Sequence, residues 1–383
     1  MTTATGTQAA VRAAPDRRRR SRFVVDLATV DDHAAIGGLL QQPLDGSIRL
    51  SLCRDPDLRR AAFVEGDPHH LFVVRDRINE SVVACGSRSV RSMWIDGALR
   101  RVGYLGMLRR DRRLTGYGHL LRDGFTMVNR TRAADEEPYD LTAIVSDNIP
   151  ARRLLEANVC GLPCYRPLCQ LVTLTISTSG RPGRTPGIEV ATEAMLPGIV
   201  DCLQRSARRY AMAPWWTMAD LRSSMRCRGL SAHDFLIVRR KSRVVGCIAR
   251  WDQRSFKQAV VDSYAPPIHR WRRVINLGRR LRRSFPLPPP GQILPMAYLS
   301  HLAVEGGSTE MALKLVEAAR RTDDVSAVIL TLPHHHPLIA KLGRRLRPHL
   351  YRSTLYAVGG HAPVDPMPPL GTRCPIHVEG ATL

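Results

Sequence analysis

The chain has 383 residues, enough for two domains of ordinary size, and 44% of them are hydrophobic, which is enough to build real cores. Its 57 basic residues against 34 acidic ones give a formal net charge of +23, which predicts attraction to an anion such as cofactor phosphates, an acidic substrate, nucleic acid or lipid headgroups. No apolar run reaches the roughly 18 residues of a transmembrane helix, and the 9 cysteines form no C-x-x-C pair, which favours free thiols in a reducing, cytoplasmic compartment.

The start of the chain is basic and then becomes regular. Residues 1–22 are polar and lack an apolar core segment, which predicts a disordered arm and not a signal peptide. Thr29 and the two aspartates after it supply the residue types that start a helix. The elements that we expect before residue 110 are strands at 23–28, 71–75, 81–90 and 100–108 and helices at 34–40 and 58–63.

The stretch from Tyr104 to Gly118 suggests binding more clearly than any other. It begins as an apolar strand, passes through a basic turn and ends in Arg113-Leu-Thr-Gly-Tyr-Gly118, directly before a helical pattern at 120–128. Backbone N–H groups at a helix start point outward, and the helix dipole favours an anion there. Gly116 and Gly118 allow a phosphate to approach the backbone closely. We therefore predict that this loop holds the pyrophosphate of a nucleotide-like cofactor.

Two strands and a helix are expected to complete the first half. Glu136-Glu-Pro138 is expected to break the chain, and the apolar residues 141–145 then predict a strand for the middle of a sheet. The following turn leads into a helix at 151–155, where Pro150 suits the first helical turn. A long strand at 168–177 is expected to close the first half.

Two short segments resemble the signatures of one enzyme superfamily. Arg113-x-x-Gly-x-Gly118 matches the R/Q-x-x-G-x-G/A signature of the GNAT acyltransferases, with the strand before it and the helix after it in the expected places. Asn148-x-x-Ala-x-x-Leu154 is similar to the second signature of that superfamily, where a helix follows the next strand. The resemblance covers residues 23–176. It implies an α/β fold whose mixed, mostly antiparallel central sheet is flanked by helices.

The resemblance also implies a donor and a reaction. Acetyl-CoA or another acyl-CoA would lie in a gap between two strands, with no metal, and an amine would attack the thioester directly while the thiolate of CoA leaves. The pantetheine would pair with the backbone at Met107, Leu108 and Arg109. The cofactor-binding residues implied beyond these are Arg113, Leu114, Thr115, Gly116, Tyr117, Gly118, His119 and Asn148.

The proton-transfer residues are harder to assign. Many members of the superfamily carry a tyrosine one place beyond the Leu154 position to protonate the leaving thiolate, and this chain has Leu155. Tyr165 is a candidate for that role, with a strand-edge aromatic as the alternative. Asp147 lies close to the expected thioester end, but an aspartate there is also typical of a helix cap. Tyr104 lies on the cofactor strand, where a core position is equally consistent.

The second half repeats the order of strands and helices of the first. A linker rich in Gly and Pro at 178–187 separates a GNAT acyl-CoA-binding domain at 23–177 from a second GNAT-like domain at 188–358. In place of the basic loop the second half has Glu305-Gly-Gly-Ser308, which puts a carboxylate where phosphates would lie. We therefore predict that the second domain is degenerate, and that the Pro-rich tail at 359–383 is disordered.

A basic segment at 269–285 contains no acidic residue. Most of its arginines fall on one side of a helical wheel, which is typical of a helix that binds anionic membrane or nucleic acid. The alternative is a surface helix that packs its apolar stripe on its own domain. The apolar residues on the broad opposite face are Trp271, Val274, Ile275, Leu277 and Leu281.

Taken together, these patterns predict a cytoplasmic protein with two GNAT-like domains that transfers an acyl group, most simply acetyl, from acyl-CoA to an amine of a small molecule or peptide. The alternative is a non-catalytic CoA-binding protein that uses its basic surface, including 269–285, to bind RNA or an anionic membrane. The intact Arg113–Gly118 loop favours the enzyme, and the missing tyrosine favours the alternative.

Overall fold

One mixed sheet runs through the molecule in the computed structural model. Thirteen strands of the described residues belong to it, and a separate pair of strands forms a second, small sheet. In the part of the chain that the structure describes, no helix is long and apolar enough to cross a membrane. The described residues are 22–44, 46, 48–114, 118–179, 183–281, 285–360 and 374–383.

The elements of the first half are β1 (Phe23–Leu27), α1 (His33–Leu40), β2 (Ile48–Cys53), α2 (Leu58–Glu65), β3 (His69–Asp76), β4 (Ser81–Ile95), β5 (Ala98–Arg110), α3 (Gly118–Arg130), β6 (Glu136–Val145), α4 (Ile149–Leu155) and β7 (Cys164–Ser177). The elements of the second half are β8 (Glu189–Val190), α5 (Leu196–Ala207), β9 (Ala213–Pro214), α6 (Met218–Arg222), β10 (Phe235–Arg240), β11 (Arg243–Trp251), β12 (Gln258–Tyr264), α7 (Pro266–Leu281), β13 (Met296–Val304), α8 (Thr309–Ala319), β14 (Ala327–Pro333), α9 (Pro337–Leu346) and β15 (His349–Gly359).

The predicted start of the first helix is confirmed, with local chemistry that explains it. The backbone N–H of Thr29 donates to the Asp32 carboxylate at 2.7 Å, and the Thr29 hydroxyl donates to the same carboxylate at 3.1 Å. These bonds satisfy groups that a helix start leaves without partners. Arg75 of β3 then forms a bidentate ion pair with Asp32, with both N–O distances at 2.6 Å, which ties the start of α1 to the sheet.

The two halves exchange one long strand each. The sheet order is β1-β3-β4-β5-β6-β15-β7-β14-β13-β11-β10-β8, so β15 lies between β6 and β7, and β7 lies between β15 and β14. The long strand expected at 168–177 is confirmed as β7, but it lies between two strands of the second half and does not close the first half. One face of β7 carries Val172, Leu174 and Ile176, which are buried in the core of the second half together with α8 and β14. Burial of these side chains holds β7 across the boundary.

Parallel pairing occurs at two places in this otherwise antiparallel sheet, between β5 and β6 and between β13 and β14. The α/β class with a mixed, mostly antiparallel sheet flanked by helices is thereby confirmed. Because the halves share one sheet, the division at 178–187 into two domains stays a prediction.

Two sequence-based expectations about loops are wrong. Residues 136–138 do not break the chain, because β6 begins at Glu136 and the buried carboxylate of that residue pairs with Arg88 at 2.7 Å. Residues 374–383 do not form a disordered tail, since Val378 and Ala381 are buried against the sheet. Residues 361–373 of the predicted tail lie outside the described part.

Candidate functional site

Strands β5 and β6 part from each other near their middle. The paired register ends at Tyr104 opposite Leu141, and the Thr142 hydroxyl donates to the carbonyl oxygen of Leu105 at 2.9 Å just beyond that point. Farther along, the Leu108 side chain is 56% exposed. We call the space between β5 and β6 beyond Tyr104 the first gap.

A β-bulge shapes the β5 side of the first gap. Cys85 of β4 lies opposite Arg109 and Ser87 lies opposite Gly106, so β5 contains one extra residue between the two pairs. Met107 in this bulge has a φ of 54°, and its carbonyl oxygen accepts from the Cys85 thiol at 3.5 Å. Burial raises the pKa of Cys85 to about 11, which keeps the thiol protonated as a donor. A bulge takes a residue out of the regular ladder, so the Met107 backbone can serve a ligand.

Tyr104 marks the paired end of the first gap. Tyr104 is buried, and the Arg91 guanidinium lies over its ring at 4.6 Å from the centroid. Burial raises the pKa of Tyr104 to about 12, so the phenol stays protonated at neutral pH. A small cavity lies beyond the ring. Its lining includes Arg91, Tyr104, Leu141, Glu379 and Thr382.

A buried ion-pair network fixes the strands where the first gap begins. Arg88 donates to Asp140 at 2.9 Å and to Glu136 at 2.7 Å, and Arg132 donates to Asp140 at 2.8 Å. Gly103 makes room for this network, because a Cβ at that position would lie 1.9 Å from an Asp140 oxygen. Buried charges of this kind need such pairing.

The open end of the first gap is basic. Asp111 shapes the turn after β5, since its carboxylate accepts from the backbone N–H of Arg113 at 2.8 Å and its carbonyl oxygen accepts from that of Leu114 at 3.0 Å. The Arg113 side chain is 93% exposed. Helix α3 begins at Gly118 and has no acidic residue in its first turn. The predicted phosphate-loop residues Thr115, Gly116 and Tyr117 lie outside the described residues.

The remaining predicted site residues lie in different surroundings. Tyr165 is buried in a cluster of its own, with Phe125 and Tyr356 edge-on at 6.3 and 6.0 Å between ring centroids, and burial raises its pKa. Asn148 caps α4 by accepting from the backbone N–H of Ala151 at 3.3 Å, and Asp147 is exposed in the same turn. His119 is exposed in the first turn of α3. Tyr104, Met107, Leu108 and Arg109 thus lie on one strand, β5, whereas Tyr165 lies in a separate core cluster. The roles of all these residues stay predictions.

The second half contains the same strand geometry. Tyr298 opposite Ile329 is the last pair between β13 and β14, and a bulge follows at His301, whose φ is 53°. The Cys247 thiol donates to the carbonyl oxygen of His301 at 3.5 Å, as Cys85 does to Met107. We call the space between β13 and β14 beyond Tyr298 the second gap.

A short internal repeat in the sequence corresponds to this shared geometry, although the sequence analysis missed it. Val82-Val-Ala-Cys85 of β4 corresponds to Val244-Val-Gly-Cys247 of β11. Gly103-Tyr-Leu of β5 corresponds to Ala297-Tyr-Leu of β13. The repeat covers few residues, but each of them lies at the bulge or at the point where the strands part.

The second gap is occupied by the chain itself. A Glu379 carboxylate oxygen accepts from the backbone N–H of His301 at 2.7 Å, and the other oxygen accepts from that of Ala381 at 3.2 Å. Burial raises the pKa of Glu379 to about 7 and lowers that of His301 to about 3. At the loop after β13, Glu305 pairs with Arg243 at 3.1 Å.

A buried charged cluster, also missed from the sequence, lies beside the first gap. The Glu65 carboxylate is 3.3 Å from Arg54, 3.6 Å from His69 and 3.7 Å from Lys257. Burial alone would raise the pKa of Glu65, but the contact with His69 and the charges of Lys257 and Arg54 outweigh it and lower the pKa. Burial lowers the pKa of Lys257 to about 8. No local pattern signals such a cluster, because its members come from α2, the segment before it, the start of β3 and the turn before β12.

The cluster is connected to the first gap through Arg91 and the last residues of the sequence. Arg91 donates to the backbone carbonyl oxygens of Glu65 and Thr382 while its guanidinium covers Tyr104. Lys257 donates to the carbonyl oxygen of Leu383 at 3.0 Å. Residues 374–383 therefore contact the surroundings of both gaps.

Comparison with known proteins gives structural neighbours. No family model and no curated protein matches the sequence. The crystal structure of Saccharomyces cerevisiae N-myristoyltransferase with bound myristoyl-CoA aligns with a TM-score of 0.56 at 10% identity, covering 90% of this chain and 86% of that chain. A structure of the same enzyme with bound myristoyl-CoA and inhibitors has a TM-score of 0.58 at 10% identity, with 88% and 80% covered.

A third neighbour is more distant. The GCN5-related N-acetyltransferase from Sphaerobacter thermophilus has a TM-score of 0.49 at 13% identity, covering 88% of this chain and 95% of that chain, a likeness too low to support an inference. The shared sheet, the two parallel strand pairs and the two yeast enzyme structures lead to one conclusion: the chain has the GNAT-like α/β fold of the N-myristoyltransferase structures.

Proposed function

We propose that the first gap binds an acyl-CoA and that the protein transfers its acyl group to a primary amine. The observation that carries this proposal is the pair of matched bulges. The backbone N–H of His301 binds a carboxylate oxygen at 2.7 Å in the second gap. Met107 has the same register and nearly the same φ in the first gap. An oxygen atom of a ligand is therefore expected at the Met107 N–H, and a thioester carbonyl oxygen fits that position.

The chemistry follows from these groups. The amine nitrogen forms a bond to the carbonyl carbon, the carbonyl oxygen gains negative charge, and the carbon–sulfur bond then breaks with the electron pair on sulfur. A fixed backbone N–H at the developing oxyanion lowers the barrier because it needs no reorganisation during the reaction. The Tyr104 phenol, protonated at neutral pH, could donate a proton to the leaving thiolate. The nitrogen releases one proton in exchange.

Two features support the proposed orientation of the donor. The exposed Arg113 and the start of α3, which has no acidic residue in its first turn, favour phosphates at the open end of the first gap. Tyr104 lies at the paired end and borders a small cavity. We therefore expect a short acyl group such as acetyl to be preferred. The yeast neighbours hold myristoyl-CoA, so longer donors belong in the same experiment.

The first experiment is a thermal-shift series with acetyl-CoA, myristoyl-CoA and free CoA. A ligand at about 100 times its Kd adds about 2.7 kcal/mol to the free energy of unfolding. Gly116→Arg, in the predicted phosphate loop, should abolish the shift. Gly124→Arg is the matched control, because no atom lies within 4 Å of a Cβ at Gly124 on α3. No shift with any acyl-CoA at saturation would contradict the proposal.

The second experiment measures release of the CoA thiol with a panel of amines. Small polyamines, amino sugars, amino acids and peptide N-termini cover the acceptor classes consistent with a small-molecule or peptide substrate. Binding of acyl-CoA with no thiol release across a broad panel would instead favour a non-catalytic CoA-binding protein.

A further inference from the structure

Helix α7 is attached to the body of the protein by one side only. Ile268 and Ile275 pack into a cluster with β12 and the segment after the helix. The Asn276 side chain donates to the carbonyl oxygen of Leu287 at 2.9 Å and accepts from its backbone N–H at 2.8 Å. The expectation that the apolar stripe packs on its own domain therefore holds for Ile275 and is wrong for Trp271, Val274 and Leu277, while the side chain of Leu281 lies outside the described part.

The other side of α7 presents an apolar row to solvent. Trp271, Val274 and Leu277 are 56%, 59% and 62% exposed. Their spacing of three residues puts them along one side of a helix. All five tryptophans lie in the described residues, and Trp271 alone among them is exposed. We call these three side chains the α7 row.

The surroundings of the α7 row are basic. Residues 263–304 contain no aspartate or glutamate. Arg270 and Arg273 are exposed beside the row, and within the described part of the chain neither has an acidic partner. Arg272 and Arg279 are also held close by, since they donate to the backbone carbonyl oxygens of Leu287 at 3.2 Å and Phe285 at 2.5 Å. A partner that covers this face must therefore offer negative charge around an apolar centre.

We propose that the α7 row docks on the surface of an anionic lipid bilayer. An interfacial helix buries its apolar face at the boundary between headgroups and acyl chains, and flanking arginines pair with lipid phosphates. Tryptophan is well suited to that depth because its ring is amphipathic. A nucleic acid would use the arginines but would leave Val274 and Leu277 without a role. A second copy of the chain would bring the arginines of the two copies against each other.

The test is flotation of the full chain with vesicles of phosphatidylcholine alone and of phosphatidylcholine mixed with phosphatidylglycerol. We expect binding to the anionic vesicles only. Each arginine near the surface contributes about fivefold to binding, so Arg270→Gln with Arg273→Gln should weaken binding roughly 25-fold. The control pair Arg59→Gln with Arg60→Gln, two exposed arginines on α2, should bind like the unchanged protein.

The apolar contribution is tested separately. Val274→Ser with Leu277→Ser should weaken binding to anionic vesicles about tenfold or more. The control is Ile78→Ser, in the turn between β3 and β4, where the side chain is 71% exposed and the change should leave binding unaltered. Fluorescence of the bound protein should shift to the blue, and Trp271→Phe should remove that shift while the vesicles still bind. Unchanged thermal stability of the variants shows that they are folded, since these side chains face solvent.

Several results would overturn the proposal. Equal binding to neutral and anionic vesicles would remove the charge argument. Retention on RNA or DNA that depends on Arg270 and Arg273 but not on the apolar row, without vesicle binding, would identify a nucleic-acid surface. A dimer that dissociates in the Val274→Ser and Leu277→Ser variant would identify a second copy as the occupant. Each result is independent of acyl-CoA binding, so the two proposals fail separately.

Discussion

The first and second gaps share one backbone geometry but differ in the residues around them. In both, a tyrosine marks the last paired residue, a cysteine thiol bonds to the carbonyl oxygen of the bulge, and the bulge residue has a φ near 54°. In the second gap Glu379 of the same chain binds the bulge N–H. Beside the first gap, the Leu108 side chain is exposed.

The second gap shows that the bulge N–H in this geometry can bind a carboxylate oxygen. A buried backbone donor must have a partner. The second half supplies one as the Glu379 carboxylate, and we propose that a ligand supplies the partner at the equivalent position of the first half. The loops that follow β5 and β13 differ in charge as well. The loop after β5 carries arginines, whereas the loop after β13 carries Glu305, which pairs with Arg243.

The largest expected effect concerns the point where the first gap begins. Gly103→Ala would place a Cβ 1.9 Å from an Asp140 oxygen and 2.7 Å from the Arg88 Nε, so the buried ion pair must separate. We expect a loss of about 3 to 5 kcal/mol in the free energy of unfolding. The reverse change at the equivalent position of the second half, Ala297→Gly, should lower the free energy of unfolding by only about 1 kcal/mol. Urea unfolding measures both, and equal losses would contradict the role assigned to Gly103.

The next effect concerns the bulge donor itself. Replacing the amide N–H of Met107 by an ester oxygen removes the donor and keeps the side chain. If that N–H stabilises the oxyanion, kcat should fall about 10²- to 10³-fold with little change in stability.

The matched control for this substitution lies in the second gap. An ester at His301 removes the bond to the buried Glu379 carboxylate, which should cost about 1.5 to 3 kcal/mol of stability and leave kcat unchanged. A loss of activity that is the same for both esters would show that the two gaps are not functionally different.

A pH effect distinguishes the carboxylate that fills the second gap. The folded-state pKa of Glu379, about 7, is above its usual value of 4.5, so the folded protein holds a proton that the unfolded chain releases between these pH values. Stability from this group is therefore present at low pH and is lost as the pH rises through 7. Relative to Glu379→Gln, the unchanged protein should lose roughly 2 to 3 kcal/mol between pH 4.5 and 7. Glu310→Gln, at an exposed glutamate whose pKa is lowered by Lys341, should not show that fall.

The smallest expected effect concerns the tyrosine at the base of each gap. A thiolate with a pKa near 8.5 leaves readily, so a proton donor adds little. We expect Tyr104→Phe to lower kcat roughly tenfold and Tyr298→Phe to leave it unchanged. Rates of thiol release at saturating donor measure this, and a full rate in Tyr104→Phe would remove Tyr104 from the mechanism. Tyr165→Phe and Asp147→Asn in the same assay test the other two candidates.

Local patterns predicted most of the elements but not their partners. The apolar run at 141–145 and the glycine loop before α3 each carry their own signal, and the structure has a strand and a helix there. The apolar alternation of β7 indicates a strand but contains no information about which half of the molecule covers it. The partner of β7 depends on burial of Val172 and Leu174 against residues far away in the sequence.

The candidate site divides in the same way. The strand that bears Tyr104 and Met107 was predicted from the residues around it, together with the basic turn that follows. The burial of Glu379 was not predicted. A single glutamate near the end of a Pro-rich segment gives no pattern that indicates a contact with the backbone N–H of His301 in a distant strand. The cluster around Glu65 depends on the same kind of long-range contact.

The exchange of β7 and β15 also determines when the first half can be completed. Strand β15 pairs with β6 at 139–145 and with β7 at 164–175. The middle of the sheet therefore cannot form until residues 349–359 have been synthesised. During synthesis, the edges of β6 and β7 remain without that partner while nearly the whole second half is made. Pairing over such sequence distances is slow, and unpaired strand edges promote aggregation. We therefore expect a fragment that stops in the linker at 178–187 to leave the edges of β6 and β7 without their β15 partner.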